Sequence, residues 1–344
     1  MRLVATLTVA LGLAGCDTDG SSMTVDAGSG DASTQMGETI THTFEAVEIA
    51  AGEEISWVCQ SWTLDNEEPI YVNAVRAANG GSWHHSNWFF VPTNTYEGPD
   101  GTWPCDDREF TEVGAGSAGG VLFAQSTQAP SDVQQFPEGV AIELPPRAQI
   151  VGNVHLLNFS GETMNSAMTF ELDVIPQSEV VTELSLVSFS NRGLEIPPRQ
   201  RSRFSTECDF SASYELPTFR FFYALPHHHE LGNYFSLEAI GPDGAQNIIE
   251  MNTSVGEAWG RTFDPPIEVT DATALRMTCG YDNPRDEVVR YGIGDQEMCV
   301  FLAFTDLDVQ LAGFGGGNEV LGEEDGISMN QSNCNGLVIN REDF

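Results

Sequence analysis

The sequence contains no lysine. All 14 basic residues are arginine, against 51 acidic residues, so the formal net charge of the 344-residue chain is −37 at pH 7. So acidic a surface repels phosphate backbones and anionic lipid headgroups, which argues against nucleic-acid binding and direct binding to a membrane surface. With 41% hydrophobic and 10% aromatic residues, the chain is too apolar for a disordered acidic protein. We therefore expect a folded body that carries the negative charge on its surface.

Long apolar runs are also absent after residue 13, where none approaches the roughly 18 residues of a membrane-spanning helix. The N-terminus itself has a positive Arg2 and an apolar stretch over 3–13, which is typical of a signal peptide. Leu13-Ala-Gly-Cys16 then resembles a bacterial lipobox. We predict a lipoprotein-type signal peptide over 1–15 and lipidation of Cys16. The alternative is an ordinary secretory signal in which this cysteine is incidental.

This N-terminus predicts an exported protein of the bacterial cell envelope, in the periplasm or on the outer surface, attached to a membrane only through its lipid. Residues 16–38 are rich in Gly, Ser, Asp and Thr and predict a flexible tether. From Thr39 onward, short stretches with alternating apolar residues recur between turn-forming clusters. The pattern predicts an all-β chain with two tandem antiparallel, jelly-roll-like β-sandwich domains, over 39–176 and 177–344.

Cysteine pairs of the C-x-x-C type are missing, which argues against a zinc ribbon or a thioredoxin-like site. Six cysteines remain when the lipobox residue is set aside. Because an exported chain matures in an oxidising compartment, an even number predicts three disulfides. The six residues are Cys59, Cys105, Cys208, Cys279, Cys299 and Cys334.

Histidine is scarce, yet six of the seven histidines fall in three short segments. Neutral imidazole is the commonest metal ligand in proteins, and scattered structural histidines rarely cluster in this way. On a strand, residues i and i+2 face the same side, so His227 and His229 can share a metal ion while His228 points elsewhere. A site with only these two ligands needs another ligand from a different strand.

The first half of the chain has its own candidate ligands. His84 and His85 are consecutive, so both can bind one ion only where their strand is bulged or ends. His155 lies on a predicted strand and could complete that site. By ligand type alone, zinc is possible. Met298, beside Cys299 at the start of a strand, favours copper, because a thioether is a soft ligand that prefers Cu(I).

Taken together, these segments resemble the copper type II, ascorbate-dependent monooxygenases, the family of peptidylglycine α-hydroxylating monooxygenase and dopamine β-monooxygenase. The resemblance covers most of the chain after the tether. Four motifs occur in the family's order: His84-His85, the stretch from Phe136-Pro-Glu-Gly-Val to Gln149-Ile-Val-Gly-Asn-Val-His155, His227-His-His229-Glu-Leu-Gly232, and Asp295-Gln-Glu-Met298-Cys299.

The resemblance implies two copper ions per chain at a cleft between the sandwiches. His84, His85 and His155 would bind the ion that supplies electrons. His227, His229 and Met298 would bind the ion at which oxygen is activated. No catalytic residue is predicted beyond these ligands, and the electrons would come from ascorbate or another one-electron reductant. The implied disulfides are Cys59–Cys105, Cys279–Cys299 and Cys208–Cys334.

Three departures from the peptide-hydroxylating relatives concern substrate binding. Leu225, Val300 and Leu302 stand where those relatives hold a substrate carboxylate with arginine, asparagine and tyrosine. Without these partners a bare carboxylate would lose its hydration uncompensated, at a cost of several kcal/mol. We predict that the three residues line an apolar pocket and that a glycine-extended peptide is not the substrate. Ser86 also replaces the methionine that usually follows the histidine pair.

The sequence therefore predicts a dicopper monooxygenase that hydroxylates a C–H bond of an unidentified small molecule with O2. The alternative is a non-catalytic envelope lipoprotein that binds copper or a partner on the same fold. A carbohydrate-binding β-sandwich is a further alternative, which the six tryptophans could support by stacking on sugars.

Overall fold

The structure is a computed structural model, and it describes residues 37–125, 129–252, 260–292 and 294–340. The predicted signal peptide, the lipidation at Cys16 and nearly all of the predicted tether lie outside these ranges. None of the helices in the described ranges is long and apolar enough to span a membrane.

Strands dominate the described chain, so the predicted all-β class is confirmed. The described helical segments are α1 (Glu112–Ala118) and two short 3₁₀ turns, Cys105–Arg108 and Gln177–Glu179. The strands of the first half are β1 (Glu38–Thr43), β2 (Val47–Ile49), β3 (Glu54–Thr63), β4 (Ile70–Ala78), β5 (Trp83–Val91), β6 (Gly101–Pro104), β7 (Gly120–Gln125), β8 (Ser131–Gln135), β9 (Val140–Leu144), β10 (Gln149–Leu157), β11 (Met164–Ser166) and β12 (Thr169–Ile175).

The strands of the second half are β13 (Thr182–Glu183), β14 (Ser185–Asn191), β15 (Glu195–Ile196), β16 (Gln200–Asp209), β17 (Phe219–His227), β18 (Gly232–Gly241), β19 (Gly244–Met251), β20 (Arg261–Val269), β21 (Ala274–Asn283), β22 (Val289–Arg290), β23 (Val300–Thr305), β24 (Val309–Glu324) and β25 (Ile327–Asn340).

Two sheets form the first sandwich. One has the order β1-β12-β4-β9-β13, with β8 also paired to β4, and the other has the order β6-β3-β10-β5-β7. Aromatic rings fill the space between them: Trp88 of β5 lies 4.8 Å from Phe170 of β12, measured between ring centroids. Gly152 of β10 lies under the indole, where a Cβ atom would come within 2.4 Å of the Trp88 ring. Only a residue without a side chain fits this contact.

The second half is built on one ten-stranded sheet, with the order β19-β18-β21-β16-β25-β24-β14-β23-β17-β20. The sheet folds over so that its two ends pack face to face. Phe235 of β18 and Phe301 of β23, far apart in the strand order, stack with ring centroids 5.6 Å apart. A second buried apolar cluster lies between the two faces.

The first sandwich and the ten-stranded sheet are in direct contact. Phe136 packs edge-on against Phe304, with ring centroids 5.3 Å apart, and against Tyr223 at 6.0 Å. The side-chain amide of Gln310 donates a hydrogen bond of 2.7 Å to the carbonyl of Gly119. Residues from Gly37 onward accordingly group as one compact unit. The predicted domain boundary after residue 176 stays a prediction.

Three disulfides link the predicted cysteines, with the pairings that the resemblance implied. They close loops with sequence separations of 46, 126 and 20 residues. A bridge of this kind typically stabilises a fold by about 2–4 kcal/mol. The pairs are Cys59–Cys105, Cys208–Cys334 and Cys279–Cys299.

Candidate metal centre

His84 and His85 lie at an irregularity of β5. In the ladder with β10, His85 pairs with His155 and Trp83 pairs with Leu156, so His84 is an extra residue without a partner position. Such a bulge turns consecutive side chains toward the same side of a strand. The strand is thus bulged where two adjacent ligands require it.

The three imidazoles of the first sandwich lie together. The ring of His84 is 5.3 Å from that of His85 and 5.1 Å from that of His155, and the rings of His85 and His155 are 4.7 Å apart. One nitrogen from each ring can be chosen so that all three lie within 4.8 Å of one another. This arrangement could hold one metal ion.

A carboxylate orients His155. Its Nε2 atom lies 2.7 Å from Oε1 of Glu54, while its Nδ1 atom lies 3.0 Å from Nε2 of His85. Because a neutral imidazole donates from only one nitrogen, the contact with Glu54 leaves Nδ1 as the atom with a lone pair facing the histidine pair. Metal-binding histidines commonly give their other N–H to a carboxylate in this way. Sequence analysis did not identify Glu54, which is distant in the chain and lies in no motif.

His227 and His229 occupy the end of β17 and the loop after it, with ring centroids 5.1 Å apart. Nδ1 of His229 donates a hydrogen bond of 2.8 Å to the carbonyl of Gln296. Its Nε2 atom is buried and makes no hydrogen bond. A buried imidazole nitrogen with a free lone pair is the kind of atom that a metal ion would satisfy.

Glu297 joins this loop to the segment that carries Met298. Its carboxylate, which is 1% exposed, accepts hydrogen bonds from the backbone N–H groups of His229, at 2.8 Å, and Leu231, at 2.6 Å. Burial raises the pKa of Glu297 to about 7, although these N–H groups oppose the shift. Tyr281 donates a further hydrogen bond of 2.7 Å to the carbonyl of Met298. Sequence analysis did not identify Glu297 as a site residue, because a glutamate beside a methionine carries no sign of burial.

The two sets of candidate ligands are neighbours. The ring of His85 lies 6.0 Å from that of His227 and 6.4 Å from that of His229. Burial, followed by the nearby imidazoles, lowers the pKa of His85 and His227 well below the usual value. Burial also lowers the pKa of His229. These imidazoles are therefore neutral at neutral pH, which is the form that binds metals.

His228 lies against the backbone of Gly232, where a Cβ atom would come within 2.2 Å of its ring nitrogen. Burial lowers the pKa of His228 to about 4. The glycine of the His-His-His-Glu-Leu-Gly stretch therefore makes room for the middle histidine.

Ser86, where the family has a methionine, has a structural partner. It is fully buried, and its hydroxyl accepts a hydrogen bond of 2.9 Å from the indole nitrogen of Trp88. The serine thereby satisfies a polar group in the aromatic core beneath the histidine pair.

A cavity of about 550 Å³ lies beside the imidazoles. Its wall includes His85, His155, His227 and Met298, and apolar side chains make up most of the remainder. The predicted pocket residues Leu225, Val300 and Leu302 all line it. Their role in substrate binding stays a prediction.

The donor set fits copper. The first sandwich offers three imidazoles and the second half offers two imidazoles and a thioether, and both kinds of ligand bind Cu(I). Nε2 of His229 makes no hydrogen bond, and the ring is oriented by the hydrogen bond from Nδ1 to the carbonyl of Gln296. Nε2 is therefore available as a metal ligand.

Comparison with known proteins identifies one family. The family model described as "Copper type II ascorbate-dependent monooxygenase, C-terminal domain" matches residues 181–305. No curated protein matches the chain.

Three viral chains are among the solved structures to which this chain is similar. One, from "The Triple Jelly Roll Fold and Turret Assembly in an Archaeal Virus", is 10% identical over 79% of this chain and 59% of its own, with a TM-score of 0.22. Another, from Sulfolobus Turreted Icosahedral Virus, is 10% identical over 80% and 60%, with a TM-score of 0.23. A third, from Macrobrachium rosenbergii nodavirus, is 11% identical over 88% and 96%, with a TM-score of 0.19.

This chain spans about 60% of the length of the first two viral chains. Their scores are too low to support any argument about fold or function. The family match is of a different kind, because it covers the segments that contain His227, His229 and Met298. Residues 181–305 are therefore similar to the C-terminal domain of the copper type II ascorbate-dependent monooxygenases, and the predicted resemblance to that family is confirmed.

Proposed function

We propose that this chain is a dicopper monooxygenase that hydroxylates a C–H bond of an apolar small molecule. One atom of O2 enters the C–H bond and the other leaves as water, with two electrons from ascorbate or another one-electron reductant and two protons. The observation that carries the proposal is a cluster of five imidazoles from distant segments of the chain, three of which line one apolar cavity together with Met298.

The residues divide into two ligand sets. His84, His85 and His155 would hold one copper ion, and His227, His229 and Met298 would hold the other. Bound copper supplies one-electron redox chemistry and the activation of O2. Burial keeps the imidazoles of His85, His227 and His229 neutral, and hydrogen bonds direct Nδ1 of His155 and Nε2 of His229 toward the cluster.

The apolar wall of the cavity supports an apolar substrate. Leu225 is 3% exposed and lies beside Val300 and Leu302, and none of the three offers a side-chain hydrogen bond to a carboxylate. We propose that a glycine-extended peptide is not the substrate. We also propose that the protein is exported to the bacterial envelope and held there by lipidated Cys16, with no nucleic-acid partner.

Metal analysis combined with oxygen uptake tests the function. We expect two copper ions per chain and reductant-dependent O2 uptake with a matched hydroxylated product once a substrate is supplied. Met298→Ala and His227→Ala should each reduce uptake by at least about 100-fold, because they remove ligands rather than the residues that support ligands. His42→Ala is the matched control, since this imidazole stacks on Trp62 away from the cluster.

Three outcomes would contradict the proposal. A single tightly bound zinc ion would exclude the copper assignment. Uptake unchanged by either ligand substitution would exclude a role for these residues. Two bound copper ions without any O2 consumption would identify the chain as a non-catalytic copper-binding protein.

A further inference from the structure

The cavity wall on the ten-stranded sheet is built in regular rows. Phe314 of β24 pairs with Ser190 of β14, Ser190 pairs with Val300 of β23, and Val300 pairs with His227 of β17. Paired residues on neighbouring strands face the same side of a sheet. Since neighbouring strands are about 4.8 Å apart, the backbones of Ser190 and His227 are separated by roughly 10 Å.

The middle positions of two neighbouring rows are apolar. Val300 lies between Ser190 and His227, and the adjacent row places Leu302 between Ser188 and Leu225. A ligand that extends from His227 along this wall meets apolar surface first and then the hydroxyl side of β14. The wall is therefore polarised along its length.

Ser190 is the polar group at the far end of this row. It is 7% exposed, it lines the cavity, and its hydroxyl makes no hydrogen bond. Buried hydroxyl groups nearly always have a partner in the protein or in something bound to it. A hydroxyl can rotate about its side-chain bond, and it can either donate or accept.

The charged groups near Ser190 balance one another. Arg192 lies over the ring of Phe314, at 5.1 Å, and forms a side-chain hydrogen bond with Tyr291. Glu112 acts electrostatically on the same tyrosine and accepts a hydrogen bond of 2.9 Å from Asn87. With one cation and one carboxylate on this part of the wall, neither an anionic nor a cationic headgroup is favoured. The net charge of −37 further disfavours anions.

We propose that the cavity binds a mainly apolar ligand with one neutral hydroxyl or carbonyl group, and that Ser190 forms a hydrogen bond with that group. The apolar part then lies along Val300 and Leu302 and ends near His227. The volume of about 550 Å³ is in the range of small-molecule sites. The inference rests on the proposed function only in taking this ligand to be the substrate.

Binding of four eight-carbon compounds to the purified chain tests the inference without any copper present. n-Octanol, n-octane, octanoate and octylammonium share the apolar part and differ in the headgroup. We expect n-octanol to bind about tenfold more tightly than n-octane and more tightly than either ion, by calorimetry or by chemical-shift changes. Ser190→Ala should remove the advantage of n-octanol and leave the affinity for n-octane unchanged.

Ser202→Ala is the matched control. Ser202 is fully buried, its hydroxyl also makes no hydrogen bond, and it does not line the cavity. Both variants should unfold at temperatures no lower than the parent chain, and only the Ser190 variant should change ligand preference.

Four results would overturn the inference. They are tightest binding of octanoate or octylammonium, no preference of the parent chain for n-octanol over n-octane, no binding of any of the four compounds, and a preference for n-octanol that survives in Ser190→Ala.

A separate result would contradict the proposed function. If n-octanol binds as expected but the copper-loaded protein consumes no O2 with any reductant, the ligand class proposed for the cavity is supported and the monooxygenase activity is excluded.

Discussion

The two ligand sets are built by different means. His85 and His155 face each other inside the regular ladder of β5 and β10, with His84 added by a bulge. His229, by contrast, follows the end of its strand, and backbone and side-chain hydrogen bonds to Gln296 and Glu297 fix its position. Strand pairing thus places His85 and His155, whereas the position of His229 also involves the buried carboxylate of Glu297.

The two supporting carboxylates differ accordingly. The Glu54 side chain is 47% exposed and contacts the ring of a ligand, so it acts on one imidazole. Glu297 is buried and accepts hydrogen bonds from two backbone N–H groups of the loop, so it acts on the path of the loop. We expect the first to tune metal affinity and the second to determine whether the loop is formed.

The largest effect is expected from Glu297→Gln. An amide at this position can accept a hydrogen bond through its oxygen, but its NH2 group must face the other backbone N–H. A buried donor without an acceptor should lower the free energy of unfolding by about 1–3 kcal/mol. Chemical denaturation measures this change, and metal analysis should show loss of copper from the second set.

Glu230→Gln is the control for that variant, because Glu230 is exposed on the same loop. Substitutions of this kind usually change the free energy of unfolding by less than about 0.5 kcal/mol. If Glu297→Gln is as stable as the control and keeps both copper ions, the loop does not depend on its buried carboxylate, and the contrast between the two ligand sets is wrong.

A smaller effect is expected from Glu54→Gln. The amide oxygen can still accept from Nε2 of His155, so the fold should be almost as stable as before. The loss of charge weakens the pull on the ring proton and makes Nδ1 a poorer ligand, so copper affinity at the first set should fall about tenfold. Competition with a copper chelator measures the affinity.

Glu45→Gln, which removes an exposed carboxylate just before β2, controls for the loss of one charge. A large drop in stability in Glu54→Gln, or a loss of copper from the second set instead, would show that the two carboxylates do not have separate roles.

The sequence predicted a set of candidate ligands, which stays a prediction, but not the groups that orient them. Residue type and strand periodicity are local, and they correctly required a bulge at His84. They also predicted His227 and His229 on one side of a strand, which is wrong for His229, because β17 ends at His227 and His229 lies in the loop after it. Glu54 and Glu297 act across separations of 101 and 68 residues, to His155 and His229, and glutamate is usually exposed. Their roles exist only in the folded chain, where burial and a specific partner replace solvent.

The contact between the two halves of the molecule offers the finest comparison. Asp132 of β8 belongs to the first sandwich and acts electrostatically on Tyr223 of β17. Burial raises the pKa of Asp132, although a hydrogen bond from the backbone N–H of Val133 opposes the shift. The ionised carboxylate at this contact is therefore less stable in the folded protein than in the unfolded chain, which is the opposite of the usual surface aspartate.

The smallest effect is therefore a gain in stability from Asp132→Asn. A carboxyl whose folded pKa is raised stabilises the fold when protonated, and that contribution is lost as the pH rises from the unfolded value of 3.8 through the folded value. Asparagine stays neutral and keeps the oxygen that accepts from Val133, so the variant should be more stable than the parent at neutral pH, by less than the change expected for Glu297→Gln. The difference in stability should vanish below pH 3.8.

Chemical denaturation at neutral pH and below pH 3.8 measures this difference. Asp243→Asn, on an exposed turn, is the control for the loss of one negative charge. If the variant is less stable than the parent at neutral pH, or is stabilised equally at both pH values, this contact does not desolvate the carboxylate. The two halves would then leave Asp132 accessible to solvent where they meet.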